Sequence, residues 1–428
     1  MRHPALLRET DHELLLRLLR TPTVGPLEAG PDDGPPQLWQ AQRAYAAAAG
    51  AFGMRVVHHA APAVDSMLRD DVPTAVRVAA EEREFLAQQP SLVLRLGPEL
   101  PRESTVMFNV HLDTVAGLES VGFDGSRFTG RGAVDAKGPA VALLAGVRAA
   151  ATANSAIGRE VAVLIQAVSG EEGGALGTYG TRPLVEAGFF GRVNVFCEPT
   201  GLRYLPRSTA SMTACIAVDG EGSIDDRPDA GHNATVLLGF LAQHLAKELD
   251  SAVRDGRVCV AGLHTGDMHN RVYGRGRLLL NLSYASSAAG AALEKAVAEA
   301  VDSGVREFAD RFGNTREFAR TAADAAAITQ LSWTKRGMPC LHNHDPWAEE
   351  ILRSVGVVRW PAEEPAFTCD AIWMDGIADT FTAVLGPGCL ENNNAHASGE
   401  FVDLVDLEAF AATVAELLTT FSEMGRPA

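Results

Sequence analysis

The chain is short of positive charge relative to negative: 37 lysines and arginines stand against 54 aspartates and glutamates, a net charge of −17 over 428 residues. A surface built to hold phosphates carries the opposite balance, so nucleic acid is not an expected partner. Disulfide spacing is also missing, because Cys197, Cys215, Cys259, Cys340, Cys369 and Cys389 are scattered with no CxxC pair. In a chain too long to need disulfide staples they read as reduced thiols of a cytosolic protein. The N-terminal MRHPALLRETDHELLLRLLR has charges at every turn and no continuous apolar stretch of the signal-peptide kind. No run approaches the ~18 apolar residues of a membrane span, so a cytoplasmic location without a membrane partner is expected. Internal repeats and low-complexity tracts are absent too, which leaves an ordinary globular architecture.

A large core, by contrast, is available: 46% of residues are hydrophobic and 21% charged. The length exceeds what one core of ~250–300 residues usually supports, so two domains are expected. Thr10 and Glu13 have capping-box spacing ahead of LLLRLL and predict a helix over 11–19. A second helix is predicted over 36–51, and MRVVHH reads as the first strand. Strands over 92–96, 105–111, 161–168 and 193–197 surround a long apolar helix over 139–152, the alternation of an α/β domain with a mainly parallel sheet. The stretch 62–90 fits less well, since its helix over 73–88 has no clear apolar stripe; it reads as a surface excursion or a flap near the site. From about Arg207 the order becomes strand, helix, two strands, helix, which implies an inserted α+β domain over 206–335. The chain then returns to α/β character, with Asp345 as an N-cap before Pro346 and TFTAVLGPG as a strand entering a turn.

Chemistry-bearing residues sit where strand-like runs give way to turns. The strings are VMFNVHLDTV (106–115), GRGAVDAKGP (130–139), AVLIQAVSGEEGG (162–174), NVFCEPTG (194–201) and NNNAHASGE (392–400). They present His111, Asp135, Glu171, Glu172, Glu198 and His396 at the carboxyl ends of strands, where an α/β sheet meets its ligands. Taken singly, each has a bland reading: a structural histidine, a helix cap, a solvated loop. Asp113, two residues past His111, shares its face and is placed to accept a hydrogen bond from the far ring nitrogen, setting the tautomer for metal binding. Glu171 and Glu172 point to opposite sides of extended backbone, so one can ligate while the other reaches a water. Jointly, six ligand-type residues at five successive exits are the inventory of a two-metal hydrolase. Oxygen and imidazole donors without thiolate suit zinc, with cobalt or manganese as substitutes, and Cys197 and Cys369 read as packed thiols.

In order along nearly the whole chain, HLDTV, GRGAVDAKG, SGEEGG, CEPTG and GPGCLENNNAHASGE resemble the acetylornithine deacetylase, succinyl-diaminopimelate desuccinylase and glutamate carboxypeptidase family of co-catalytic zinc hydrolases. The resemblance implies a zinc-peptidase-like α/β catalytic domain (1–205 and 336–428) with an inserted α+β lid and dimerisation domain (206–335), hence a homodimer. It implies two zinc ions per chain, with Asp135 bridging, His111 and Glu198 at one ion, Glu172 and His396 at the other, and a cis peptide from Asp135 to Ala136. Glu171 would be the general base and Asp113 would support the site. Two close cations lower the pKa of a bridging water, which makes hydroxide available near neutral pH. The expected reaction is cleavage of an amide bond in a small N-acyl amino acid-like substrate.

Two positions depart from the family pattern. Where the family carries a lid histidine that stabilises the oxyanion, GEGSIDDRP places Ile224. Where a later lid strand ends in a carboxylate-binding arginine, LLLNLSYASS places Ser283. Loss of one oxyanion donor costs ~100- to 1000-fold in rate, so another group must substitute. His269, next to Asn270, is the first candidate and His232 the second; packing or capping is their alternative role. The same departures keep open a second reading, in which the dinuclear site serves acyl transfer, condensation or cyclisation in a specialised pathway.

Overall fold

A computed structural model describes residues 5–30, 33–69, 71–250 and 256–424. They fall into two compact units, Met1–Ser208 with Leu341–Ala428, and Thr209–Cys340.

The first unit opens with helices α1 (Glu9–Arg20) and α2 (Leu38–Gly50). Leu14, Leu15, Leu18 and Leu19 form the buried stripe of α1. Its start lies upstream of the Thr10–Glu13 spacing, because the Asp11 carboxylate takes the Arg8 amide at 2.7 Å and is itself held by Arg148. Strands β1 (Arg55–Ala60), β2 (Ser91–Leu96) and β3 (Thr105–His111) follow, then α3 (Lys137–Ala153), β4 (Ala162–Val168) and β5 (Val193–Phe196). Between β1 and β2 the expected single helix is two short ones, Thr74–Ala80 and Arg83–Ala87. They do have an apolar face: Val76, Ala80, Phe85 and Leu86, joined by Met67 and Val72 just upstream, bury against Ala175 and Tyr179, on the loop that follows Glu171 and Glu172.

The second unit holds β6 (Ala210–Asp219), α4 (Ala234–Asp250), β7 (Gly256–His264), β8 (Arg275–Tyr284) and α5 (Ser287–Phe312). It also contains a helix and a strand that the sequence reading did not find, α6 (Ala319–Ile328) and β9 (Thr329–Lys335). The sheet runs β7-β8-β6-β9, antiparallel throughout. Met212, Ala214, Ile216 and Val218 alternate onto its buried face, which α4 and α5 cover.

Back in the first unit come α7 (Pro346–Ser354), β10 (Phe381–Val384) and α8 (Leu404–Glu423). Asp345 caps α7 as expected, accepting the amides of Trp347 and Ala348. The sheet order is β1-β2-β4-β3-β5-β10, parallel from β4 to β10 and antiparallel at the β1 and β2 edge. Every residue of β3, β4 and β5 is buried, as parallel strands covered on both faces require. Their carboxyl ends open onto one region, and α3 starts there. No helix among the described residues is long and apolar enough to cross a membrane.

Candidate active site

β3 ends on His111, fully buried, and the backbone carbonyl of Asp113 takes the hydrogen bond from its Nδ1 at 3.0 Å. A carbonyl only accepts, so Nδ1 carries the proton and Nε2 keeps the lone pair a cation needs. The expected partner was the Asp113 side chain. That carboxylate lies 3.7 Å from Nδ1 and instead accepts the Glu172 amide at 3.1 Å, while the nearer backbone carbonyl takes the ring N–H. Asp113 therefore joins the His111 strand end to the loop bearing both glutamates.

Asp135 is not the cap of α3; that position is Ala136, and the Asp135–Ala136 peptide is cis. Its two oxygens face two imidazoles, Oδ1 at 2.8 Å from His111 Nε2 and Oδ2 at 3.1 Å from His396 Nε2. His111 Nε2 also lies 3.8 Å from Glu198 Oε2, and His396 Nε2 lies 3.0 Å from Glu172 Oε1. His396 reaches inward from a loop where its own φ is +61°. The side chains thus form two lobes that share one aspartate. His111, Asp135 and Glu172 offer donor atoms all within 4.8 Å of one another.

Burial and crowding shape the charges. Burial, then the neighbouring Glu172 and Glu198, push the half-buried Glu171 carboxyl well above its usual range, and burial does the same to Glu198. Hydrogen bonds to His111 and His396 outweigh burial at Asp135 and hold it low. Asp135 and Glu172 push His396 up to about 10. A divalent cation fits this donor set. Glu172 Oε1 is buried and faces an imidazole nitrogen at 3.0 Å, yet takes no well-directed hydrogen bond. Nitrogen and carboxylate donors of this kind suit a zinc-class ion.

Two carboxylates matter that the sequence reading did not single out. Glu400, the last residue of the NNNAHASGE string, is 1% exposed. It accepts from Arg131 Nη1 at 2.7 Å and from the amides of Gly132, Val134 and Asp135 at 3.0, 3.0 and 3.2 Å. One carboxylate thereby staples the Asp135 loop to the His396 loop. Asp370 is fully buried, accepts the Thr181 hydroxyl at 2.5 Å, and is pushed up to about 7 by burial. Thr181 in turn takes Asn109, which also donates to its register partner Gln166 at 2.8 Å, so the network runs under the sheet's carboxyl end. Gly177 is confined beside it, since a Cβ there would lie 2.5 Å from the Asp370 carboxylate. An isolated buried Asp in FTCDAIWM leaves no periodic signature in sequence.

The remaining candidates belong to the second unit. His269 and Asn270 are exposed on the turn between β7 and β8. His232 is buried, and both ring nitrogens are committed: Nδ1 accepts the Glu221 amide at 2.9 Å and Nε2 lies 3.0 Å from Asp324. It therefore has no N–H left for an oxyanion and acts as a packing residue. Ile224 is 55% exposed, and Ser283 stands opposite Arg257 of the neighbouring strand. All six cysteines are free, with Cys197 and Cys369 buried.

The chain is similar to several known proteins. An Aeropyrum pernix protein with the provisional name LysW-lysine/LysW-ornithine hydrolase is 32% identical over 198 residues, 45% of this chain and 50% of that protein. The chain thus matches about half the length of that curated relative. A Staphylococcus aureus tripeptidase superposes with a TM-score of 0.68 at 14% identity, covering 98% of this chain and 100% of the other. The Bacillus cereus aminopeptidase PepT gives 0.67 at 14%, covering 97% and 99%. At such identity the likeness is one of fold. The family match itself spans residues 107–420, and the chain belongs to peptidase family M20/M25/M40, hydrolases of amide bonds.

Proposed function

We propose that the protein is a dinuclear zinc amidohydrolase that frees a small amino acid-like amine from an N-acyl or peptidyl amide. The observation that carries this reading is Asp135, shared between His111 and His396 with a separate glutamate on each side. His111, Asp135 and Glu198 would hold one ion; Asp135, Glu172 and His396 would hold the other. When bound, the ions polarise the amide carbonyl and lower the pKa of water.

Glu171 forms no ion pair with either imidazole among the described residues, and its raised pKa suits a group that both takes and gives a proton. It removes a proton from the attacking water; as the C–N bond breaks, it returns that proton to the leaving nitrogen. The carbonyl carbon leaves as a carboxylate. His269 is the imidazole left to offer the oxyanion a donor, since His232 is committed. The name of the Aeropyrum pernix relative supports an amino-acid product, and the second unit is proposed to act as lid and homodimer contact.

Amine release from a panel of N-acyl amino acids should require added zinc and vanish in Glu171→Ala with metal content unchanged. Undiminished turnover in that variant removes Glu171 as the base. Ile224 and Ser283, which depart from the family pattern, favour one alternative: acyl transfer, condensation or cyclisation at the same site. A purely hydrolytic product set by mass spectrometry excludes it.

A further inference from the structure

At the end of the first unit's sheet away from His111 lies a cavity of about 520 Å³, and every residue that lines it belongs to that unit. Sheet register builds its floor. Arg95 of β2 stands opposite Leu164 of β4, and Thr105 of β3 opposite Ala162, so these four side chains share one face. Val57, Phe189 and Phe190 pack on the same apolar cluster as Leu164. The walls are the segment 99–103, between β2 and β3, and the turn 187–190. Strand β3 separates this cavity from the candidate active site: Thr105 opens the strand and His111 closes it, about 20 Å further along extended backbone.

Two arginines line this mostly apolar space, Arg95 and Arg102. Arg95 sits in a strand whose other five residues are all buried. Both Nε atoms are buried and meet no acceptor among the described residues, a state that disfavours the fold unless something compensates. The acids beside the two guanidinium groups are solvated. Glu99, 3.2 Å from Arg95, has a side chain that is 84% exposed, and Asp379, 3.9 Å from Arg102, one that is 83% exposed. Ion pairs this exposed are worth little, so a bound anion displaces those acids at small cost. Arg102 is held in place, with its guanidinium 5.8 Å from the centre of the Phe190 ring and its carbonyl accepting the Arg192 amide at 3.0 Å.

We propose that this cavity is a second ligand site, which binds an apolar monocarboxylate such as an aryl-alkyl or medium-chain acid. Arg95 and Arg102 take the carboxylate, while Val57, Leu164 and Phe189 cover the apolar body. The volume lies within the ~300–1,000 Å³ usual for small-molecule sites. Glu99 and Glu103 at the rim repel a second negative charge, so inorganic phosphate and nucleic acid are poor fits. An inorganic anion would also leave the apolar floor uncovered. The inference stands apart from the hydrolase reading, because the cavity contains none of the residues proposed to hold metal and binding there needs no turnover.

The test is titration calorimetry of 4-phenylbutyrate on the zinc-loaded full chain, against 4-phenylbutanol, which lacks the charge, and acetate, which lacks the apolar body. Both comparison probes should bind at least tenfold more weakly. Arg95→Gln and Arg102→Gln should each raise the Kd of 4-phenylbutyrate about tenfold, the scale of one charge-assisted hydrogen bond. Arg316→Gln, at a 91% exposed side chain of the second unit, should leave it unchanged. Binding should also persist after chelation, which separates this cavity from a carboxylate held by active-site metal. Should an arginine variant lose its circular dichroism signature, Ala187→Trp carries the same test, because it fills the cavity from an exposed position without altering a charge and should raise Kd at least tenfold. No binding at millimolar 4-phenylbutyrate, equal binding of the alcohol or of acetate, loss of binding on chelation, or unaltered affinity in the folded variants overturns the proposal.

Discussion

Glu400 shows how much a single side chain decides. Four donors converge on it, and three of them are backbone amides of the loop that aims Asp135. Glu400→Gln replaces an acceptor oxygen by an NH2 group that must face an N–H, so it should loosen both Asp135 and His396. We expect retention of zinc against a chelator to fall about tenfold or more. Unfolding in urea should lose roughly 2 kcal/mol, the scale of a buried charged hydrogen bond. Glu400→Ala should be worse in both measurements. Gly177→Ala should cost more than ~1 kcal/mol in the same urea assay, because φ is +63° and the new Cβ meets the Asp370 carboxylate. If either variant unfolds as the wild type does, the corresponding contact is dispensable.

Elements whose signals are local were legible. The caps, periods and Pro positions of α7 and β3 lie within a few residues, so sequence places them. Asp345 gives that placement an energy. Burial raises its carboxyl, but the Ala348 amide and Arg192 outweigh this and hold it below its ordinary value. A depressed carboxyl stabilises the fold above its unfolded pKa, ~3.9, and this contribution fades as pH falls through the folded value. Asp345→Ala should therefore lower the melting temperature by a few degrees at pH 7, about 1 kcal/mol of capping, and by much less near pH 3. An equal deficit at both pH values contradicts the assignment. Long-range elements were harder. The excursion over 62–90 showed no stripe because its apolar face is set by Ala175 and Tyr179, roughly a hundred residues downstream. Helix α6 and strand β9 escaped because TAADAAAITQLSWTK passes from helix to strand without a turn residue.

For the molecule as a whole, the residues proposed to hold metal all lie in the first unit and none in the second. A ligand that binds only the native state stabilises it by about 2.7 kcal/mol at a hundredfold excess over Kd. Calorimetry with zinc and then with chelator should therefore shift the transition of the first unit and leave that of the second in place. Chelator-insensitive melting of both units argues against a native metal site.

The sequence by itself determined the α/β class, the inserted α+β segment and the order of ligand-type residues, because strand ends, turns and motif strings are local patterns. Tertiary structure decided how those residues are used. It showed that the Asp113 carbonyl rather than its carboxylate orients His111, that His232 is consumed by Asp324, and that Glu400 ties two loops together. It also brought Arg95 and Arg102 to one cavity with the turn 187–190. Each of these depends on which distant segments share a hydrogen bond or a register, and spacing along the chain carries no record of that.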